Sequence, residues 1–357
     1  MSSVTASIPL VSVFRHPAHF PSAVWDSLAS QPRRSNILYA HAAKLATVAP
    51  NTQLNHSQDL WIVSWVSQPE STVAFVVACT TGPIAPYPIF IYTPLPISSL
   101  ASSFVQLHMN AVIQTLRLHM RPERIFSAFG SERVVEVFAS AWTKETGVQL
   151  SNPSVYYHAK LMFCTTATLK AGRQHLVADG AVRMRAAVAA DVEKLARLCH
   201  GFAAGSEPFV LTPAQAYQEA KSMIQNRQAW VCAVGGQEQG AEIACVVAVT
   251  RSTNTVSAIT KVYTDPNWRG CGYAERLVRH VCERRVDLLS VRYPHAHTNC
   301  SLLRVKESVV LYVAHNNPGA ENVYRRVGFA DSTDPAGTLE TWKEIGFDRN
   351  AVQLGHW

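Results

Sequence analysis

The chain is 357 residues long, 48% hydrophobic and 16% charged, and its 32 Lys/Arg against 25 Asp/Glu give a formal net charge of +7. Length and composition exclude a disordered chain and leave room for two domains with substantial cores. No apolar run approaches the ~18 residues of a membrane span, and the eight cysteines form no CxxC pair, which argues against a metal site.

The apolar stretch 8–14 is short, lacks a basic flank and is broken by Arg15-His16-Pro17, so it does not read as a secretory signal. With thiols that have no evident partners, this points to a reducing, cytoplasmic or nuclear interior. Residues 20–45, punctuated by Pro21 and Pro32, suit one or two short helices. Strand-like runs follow at 59–66, 72–80 and 87–93, separated by Gln68-Pro69-Glu70 and Thr81-Gly82-Pro83, and suggest a meander. A helix is expected at 99–120, a short strand at 124–129, a helix at 132–144 closed near Gly147, and a strand at 156–168.

The polar stretch 170–180 reads as a linker, which divides the chain into domains 1–175 and 176–357. Beyond it come a strand at 182–187, a helix opening at Ala190 with Asp191 and Glu193 in its first turn, and a loop at 201–213. A second helix runs to about 226, followed by strands at 229–234, 242–251 and 255–264. Asp265-Pro266-Asn267 ends the last of these, and a helix then places Ala274, Leu277, Val278 and Val281 on one face, with Arg276, Arg279 and Arg284 directed elsewhere. The long segment 286–306 contains His295 and His297, read as a solvent-facing pair. An apolar strand at 307–315 leads to a helix capped by Asn317, with Pro318 at its first position and Gly328 at its end. The tail 339–357 supplies a final strand. Helix, three strands, helix, strand, helix, strand is therefore an order that both halves share in outline.

The chemistry concentrates at residues 269–274, Arg-Gly-Cys-Gly-Tyr-Ala, where a strand turns into a helix. Glycine lets a backbone approach a ligand closely, and a first helical turn offers unpaired N–H groups and a positive dipole end, so phosphate oxygens are well received there. Neither a GxxxxGK[ST] loop nor the third glycine of a dinucleotide fingerprint is present. Residues 251–330 carry 12 Lys/Arg against 6 Asp/Glu. Without a finger, an RRM signature or a long basic block, that excess suits a polyanionic cofactor better than nucleic acid.

The turn reads R-x-x-G-x-A after Asp265-Pro266 and Trp268, and resembles motif A, Q/R-x-x-G-x-G/A, of the GCN5-related N-acetyltransferase (GNAT) superfamily. Residues 317–329, with Asn317, Ala320, Val323, Tyr324, Gly328 and Phe329, are similar to the family's motif B, N-x-x-A-x-x-L/V-Y-x-x-x-G-F. The resemblance covers roughly residues 180–350. It implies an acyl-CoA N-acyltransferase fold of α/β (α+β) class: a mixed, largely antiparallel central sheet flanked by helices. The intact domain would be 176–357. Residues 1–175 would form a degenerate or accessory copy, because Thr93-Pro94-Leu95-Pro96 stands where the phosphate turn should be and proline has no N–H to give.

What the resemblance implies chemically is direct transfer of an acyl group, most simply acetyl, from acetyl-CoA to the amine of a small molecule, without a metal, nucleic acid or membrane. A protein lysine or N-terminal amine as acceptor and an inactive acyl-CoA-binding scaffold are the alternatives. Val262, Tyr263 and Thr264 would pair with the pantetheine arm. Arg269, Gly270, Cys271, Gly272, Tyr273 and Ala274 would cradle the pyrophosphate, Asn317 would bond the arm or the chain around it, and Tyr324 would be the general acid. Cys271 stands at a variable position, where its backbone N–H rather than its thiol is what the motif uses. The strand carries Lys261 and no carboxylate, which leaves His315, Glu207 and Glu242 as base candidates, with Glu207 and Phe209 on the loop expected to wall the acceptor.

Overall fold

In the computed structural model, which describes residues 9–48, 59–67, 71–82, 84–172, 182–235, 241–285 and 306–356, apolar strands and amphipathic helices alternate along the chain. The elements are β1 (Leu10–Phe14), α1 (Ser22–Ser30), α2 (Asn36–Ala46), β2 (Leu60–Ser67), β3 (Ser71–Cys79), β4 (Ile89–Tyr92), α3 (Ser102–His119), β5 (Ser127–Ser131), α4 (Glu132–Thr146) and β6 (Leu150–Cys164). They continue with β7 (Val182–Ala186), α5 (Val192–Ala204), α6 (Pro213–Gln225), β8 (Ala229–Val234), β9 (Glu242–Ser252), β10 (Val256–Thr264), α7 (Tyr273–Arg285), β11 (Ser308–Ala314), α8 (Pro318–Val327), β12 (Ala330–Asp331) and β13 (Thr341–Phe347). Most of the expected linker and the histidine pair His295/His297 lie outside the described residues.

The chain forms two compact units, Met1–Lys160 with Ser332–Trp357, and Leu161–Asp331. The first is a sheet ordered β1-β2-β3-β4-β5-β13-β6, antiparallel at every pairing except β4 with β5, which run parallel. Central strands β2 and β3 are buried over nearly their whole described length, as strands apolar on both faces must be. Trp61 stacks on His41 of α2, with ring centroids 5.7 Å apart. Ser64, three residues on and therefore on the opposite face, bonds His108 of α3 at 2.7 Å. Helices thus cover both faces.

The second unit has a sheet ordered β7-β8-β9-β10-β11 followed by the last residues of β6, with β12 beside β6. Here too neighbours are antiparallel from β7 to β10 and β10 runs parallel to β11. Local chemistry sets the helix ends. Asp191 accepts from Val188 N and receives both guanidinium nitrogens of Arg185 at 2.6 and 2.9 Å, locking β7 to the start of α5. Thr212 and Gln215 form a capping box with Pro213 at the first position of α6. Leu277, Val278, Val281 and Cys282 of α7 are fully buried against β9, β10 and β11. Burial of side chains of that size contributes about 1.5–3 kcal/mol each.

Three expectations change. The tail belongs with the first unit, because β13 pairs with β5 and β6, so neither unit follows the 175/176 division. The acceptor loop is shorter, since α5 runs on to Ala204. Arg279 is buried rather than outward-facing. It bonds Glu275 at 3.2 Å and the carbonyls of Lys170 and Arg326, because a charge drawn under α8 needs every donor satisfied.

Candidate active site

The site is built where β10 leaves β11. The parallel pairing covers Val256, Ser257 and Ala258 only, and residues 259–264 pair with β9 alone, with two register shifts at Ala258/Ile259 and Ile259/Lys261. Bulges of this kind twist a strand away from its neighbour. The β11-facing edge of β10 is thereby left open through Val262, Tyr263 and Thr264.

The chain then turns into α7 through a short helical turn, Pro266–Trp268, whose Asp265 carboxylate accepts from Asn267 N. Gly270 and Gly272 follow with φ of +80° and +75°, left-handed conformations that disfavour other residues. Among the described residues the amides of Gly270, Cys271, Gly272, Tyr273 and Ala274 meet no hydrogen-bond acceptor, and the first bond of the helix runs from Arg276 N to Gly272 O. Free amides at the positive end of a helix form an anion cradle. Arg269 stands beside it, its guanidinium 5.7 Å from the Tyr263 ring centroid and its Nε donating to Thr264 O at 3.3 Å. Cys271 is exposed, in contrast to the six other described cysteines. The Tyr273 ring is buried 6.1 Å from Trp268, so at this position the backbone faces the turn while the side chain anchors it.

Motif B flanks the same helix. Asn317 Oδ1 accepts from Ala320 N at 3.0 Å and caps α8, and Gly328 ends it with φ of +119°. Tyr324 is buried in the core cluster that includes Tyr273 and Leu277. Glu275 ties α7 to α8: it receives Arg326 Nε at 2.5 Å and Arg279 Nη2 at 3.2 Å. Burial alone would push its carboxyl up, but the two guanidinium groups hold it below the usual carboxylate value.

The expected bases are spread out. His315 is exposed just beyond β11, and Glu207 is exposed on the loop after α5. Glu242, at the start of β9, is half exposed and pairs with Lys194 at 3.2 Å and Arg197 at 3.5 Å. The sequence reading missed Glu219 on α6, which meets Lys261 of β10 at 2.6 Å. A lysine inside an apolar strand is itself the signal, since burial demands a partner.

Residues 225–331 match a family model described as an acetyltransferase (GNAT) domain. The chain carries a GNAT acetyltransferase domain. That match ends where the second unit ends and takes in β8 through β12. No curated protein matches the chain. Solved structures similar to it include a Drosophila protein, 9% identical over 95% of this chain and 99% of its own, with a TM-score of 0.54. Others are a GCN5-related N-acetyltransferase from Sphaerobacter thermophilus (15%, 97% and 99%, 0.49) and a tandem GNAT protein from the clavulanic acid biosynthesis pathway (11%, 94% and 98%, 0.48). At 9% identity the likeness to the Drosophila protein speaks to fold alone. Within the GNAT domain, the cradle at α7 suits the pyrophosphate of an acyl-CoA by its donors and charge.

Proposed function

We propose that the protein is an acetyl-CoA-dependent N-acetyltransferase that moves an acyl group directly to the amine of a small molecule, through one cofactor site in the second unit. The observation that carries this reading is the row of free amides at residues 270–274 beside an open strand edge. In the equivalent turn of the first unit, between β4 and α3, the residues ahead of the helix carry no such row, and among the described residues the amides left over there include those of the first turn of α3, Ser102, Ser103 and Phe104. There Leu95 N is taken by Thr93 Oγ1, Ser98 N by the Asp334 carboxylate at 2.9 Å, and the amides of Ser99, Leu100 and Ala101 by nearby carbonyls.

In this reading the amides of residues 270–274, with the Arg269 guanidinium beside them, hold the pyrophosphate, and the open backbone of Val262, Tyr263 and Thr264 aligns the pantetheine arm. The acyl-CoA supplies a thioester already activated for attack. Tyr324 gives its proton to the departing thiolate. Asn317 keeps α8, and with it Tyr324, in place.

Calorimetric titration of acetyl-CoA into the full chain tests the proposal. One site per chain, weakened by salt because phosphate contacts are screened, is the expected result. Two sites would mean that the first unit also binds, and no binding by folded protein would remove the acyltransferase reading.

A further inference from the structure

We propose that Glu219, a residue of α6, supplies the carboxylate that the central strand lacks and takes the proton of the acceptor ammonium, with Lys261 as its positioning residue. This rests on the acyltransferase reading and assigns its missing base.

The placement follows from strand geometry. Val262 packs toward α7, in the core cluster that surrounds that helix. Neighbouring residues on a strand point to opposite faces, so Lys261 and Tyr263 face α5 and α6. Lys261 Nζ reaches Glu219 Oε2 at 2.6 Å and lies 4.9 Å from the Phe202 ring centroid, while the Tyr263 ring meets Phe202 edge-on at 6.4 Å. All of this occurs on residues 259–264, where β10 has parted from β11. The cofactor cradle belongs to α7 and its cap to α8, so the face left for an incoming amine is that of α5 and α6.

Glu219 differs from the other carboxylates near this strand. Glu207 stands on a loop, and Glu242 is held by Lys194 and Arg197. The groups facing Glu219 are Lys261 from β10 and the Cys199 thiol from α5, which bonds to it and is itself pushed up to about 12, chiefly by burial. The Glu219 side chain keeps 21% of its surface exposed against 8% for Lys261, so the lysine is sealed while the carboxylate retains an open side. Lys261 and the Cys199 thiol take two of the roughly four acceptor positions of the carboxylate and leave its open side for an ammonium, beside two aromatic rings that favour a cation.

The step balances without a further reactant. The ammonium gives one proton to Glu219, the neutral amine forms the C–N bond as the thioester C–S bond breaks, and the nitrogen's second proton accounts for the one gained by the thiolate. Glu219 returns its proton to water.

The test uses the full chain with acetyl-CoA and two probe acceptors, phenethylamine, which arrives as an ammonium, and hydroxylamine, which is neutral at pH 7 and needs no base. Glu219→Gln is expected to bind acetyl-CoA as wild type does by calorimetry and to bind phenethylamine at least about tenfold more weakly in the presence of CoA. It should transfer acetyl to phenethylamine on the order of 100-fold more slowly, while hydroxylamine transfer stays within about threefold. Glu219→Leu with Lys261→Met exchanges the ion pair for apolar side chains; it should remain folded and be as slow as Glu219→Gln. Wild-type phenethylamine turnover in either variant would overturn the proposal and leave a structural ion pair, as would a wild type that binds acetyl-CoA and acetylates neither probe. Failure of the wild type to bind acetyl-CoA would instead overturn the acyltransferase reading on which the proposal stands.

Discussion

The two units use the same strand directions to opposite ends. In each, an antiparallel run closes on a parallel pair, β4 with β5 and β10 with β11, and a helix connects the members of that pair. In the first unit β4 stops at Tyr92, one residue past its pairing with β5, and the chain goes straight into Thr93-Pro94-Leu95-Pro96. In the second, β10 continues to Thr264 after the pairing ends. Side chains then close the first turn: Gln31 donates to Pro94 O at 2.7 Å, Arg34 to Leu95 O at 3.2 Å, and Arg34 is held by buried Glu340 at 2.9 Å. A shared topology therefore does not carry a shared site. What separates the units is whether a row of backbone donors is left over in the turn ahead of the helix, as at residues 270–272, or only in the first turn of the helix, as at residues 102–104.

The sharpest way to break that comparison is to make the open turn resemble the closed one. Gly272→Asp puts a carboxylate among the free amides, and like charge set against phosphate costs several kcal/mol. Affinity for acetyl-CoA should fall at least about 1,000-fold, and unchanged affinity in a calorimetric titration would refute the assignment of the turn. Next in size is a contrast in stability. Gly147 ends α4 and Gly328 ends α8, both with positive φ, but a Cβ on Gly147 would meet nothing within 4 Å. On Gly328 it would collide with Thr168 O and the backbone of Leu169 and Lys170. Gly328→Ala should cost about 3 kcal/mol or more and Gly147→Ala about 1 kcal/mol, read as the difference in urea midpoints. Equal costs would remove the close packing of motif B on residues 168–170.

Tyr324→Phe comes third. With the ring retained in its cluster, folding and acetyl-CoA affinity should stay near wild type while turnover falls about 30-fold, the loss of one proton donor. Wild-type turnover in steady-state kinetics would reassign Tyr324 to packing.

The parts of the molecule that were legible in the sequence are those whose reasons are local. Asn317, Pro318 and Gly328 each serve a helix end within a few residues of themselves, as do Glu132 and Gly147 on α4, so α8 and α4 could be placed from local sequence alone. The glycine turn was legible because left-handed backbone leaves few other choices. The partner of β13 was not, since Trp342 meets Ser131 across more than half the chain and nothing within the tail specifies that register. Arg279 looked outward on helical spacing because its acceptors, the carbonyls of Lys170 and Arg326, lie on other segments. Lys261 announced a need for a partner, but only the packing of α6 on the sheet shows that the partner is Glu219.

A smaller effect tests where β13 belongs. Lys343 of β13 meets Glu132 at 2.6 Å and Glu136 at 2.5 Å on α4. Partial burial would raise the Glu132 carboxyl, yet its bonds to Lys343 and Thr341 bring it from 4.5 down to about 2. A carboxyl depressed on folding adds stability that is fully present above its unfolded value and is lost as pH falls through the folded one. Lys343→Met should therefore flatten the acid limb of the stability profile between pH 4.5 and about 2. The loss at pH 7 should stay below about 1 kcal/mol, because this pair is partly solvated and screened. An unaltered acid limb in pH-dependent urea unfolding would separate β13 from α4.

The smallest expected effect is the most informative about the closed turn. Asp334→Asn removes the negative charge that holds Ser98 N, the one amide of that turn engaged by a carboxylate among the described residues. If the charge alone kept phosphate out, a second acetyl-CoA site should appear in calorimetry. The rest of the turn argues that it will not. Pro94 and Pro96 have no N–H, the amides of Ser99, Leu100 and Ala101 stay bonded to carbonyls, and no glycine there provides the left-handed backbone that lines up successive amides in the second unit. One freed donor, separated from the first turn of α3 by three bonded amides, does not make a cradle that needs several in a row. Stoichiometry should remain one per chain with affinity within about twofold of wild type. A second site in this variant would mean that the two units differ by a single carboxylate rather than by the way their backbones are spent.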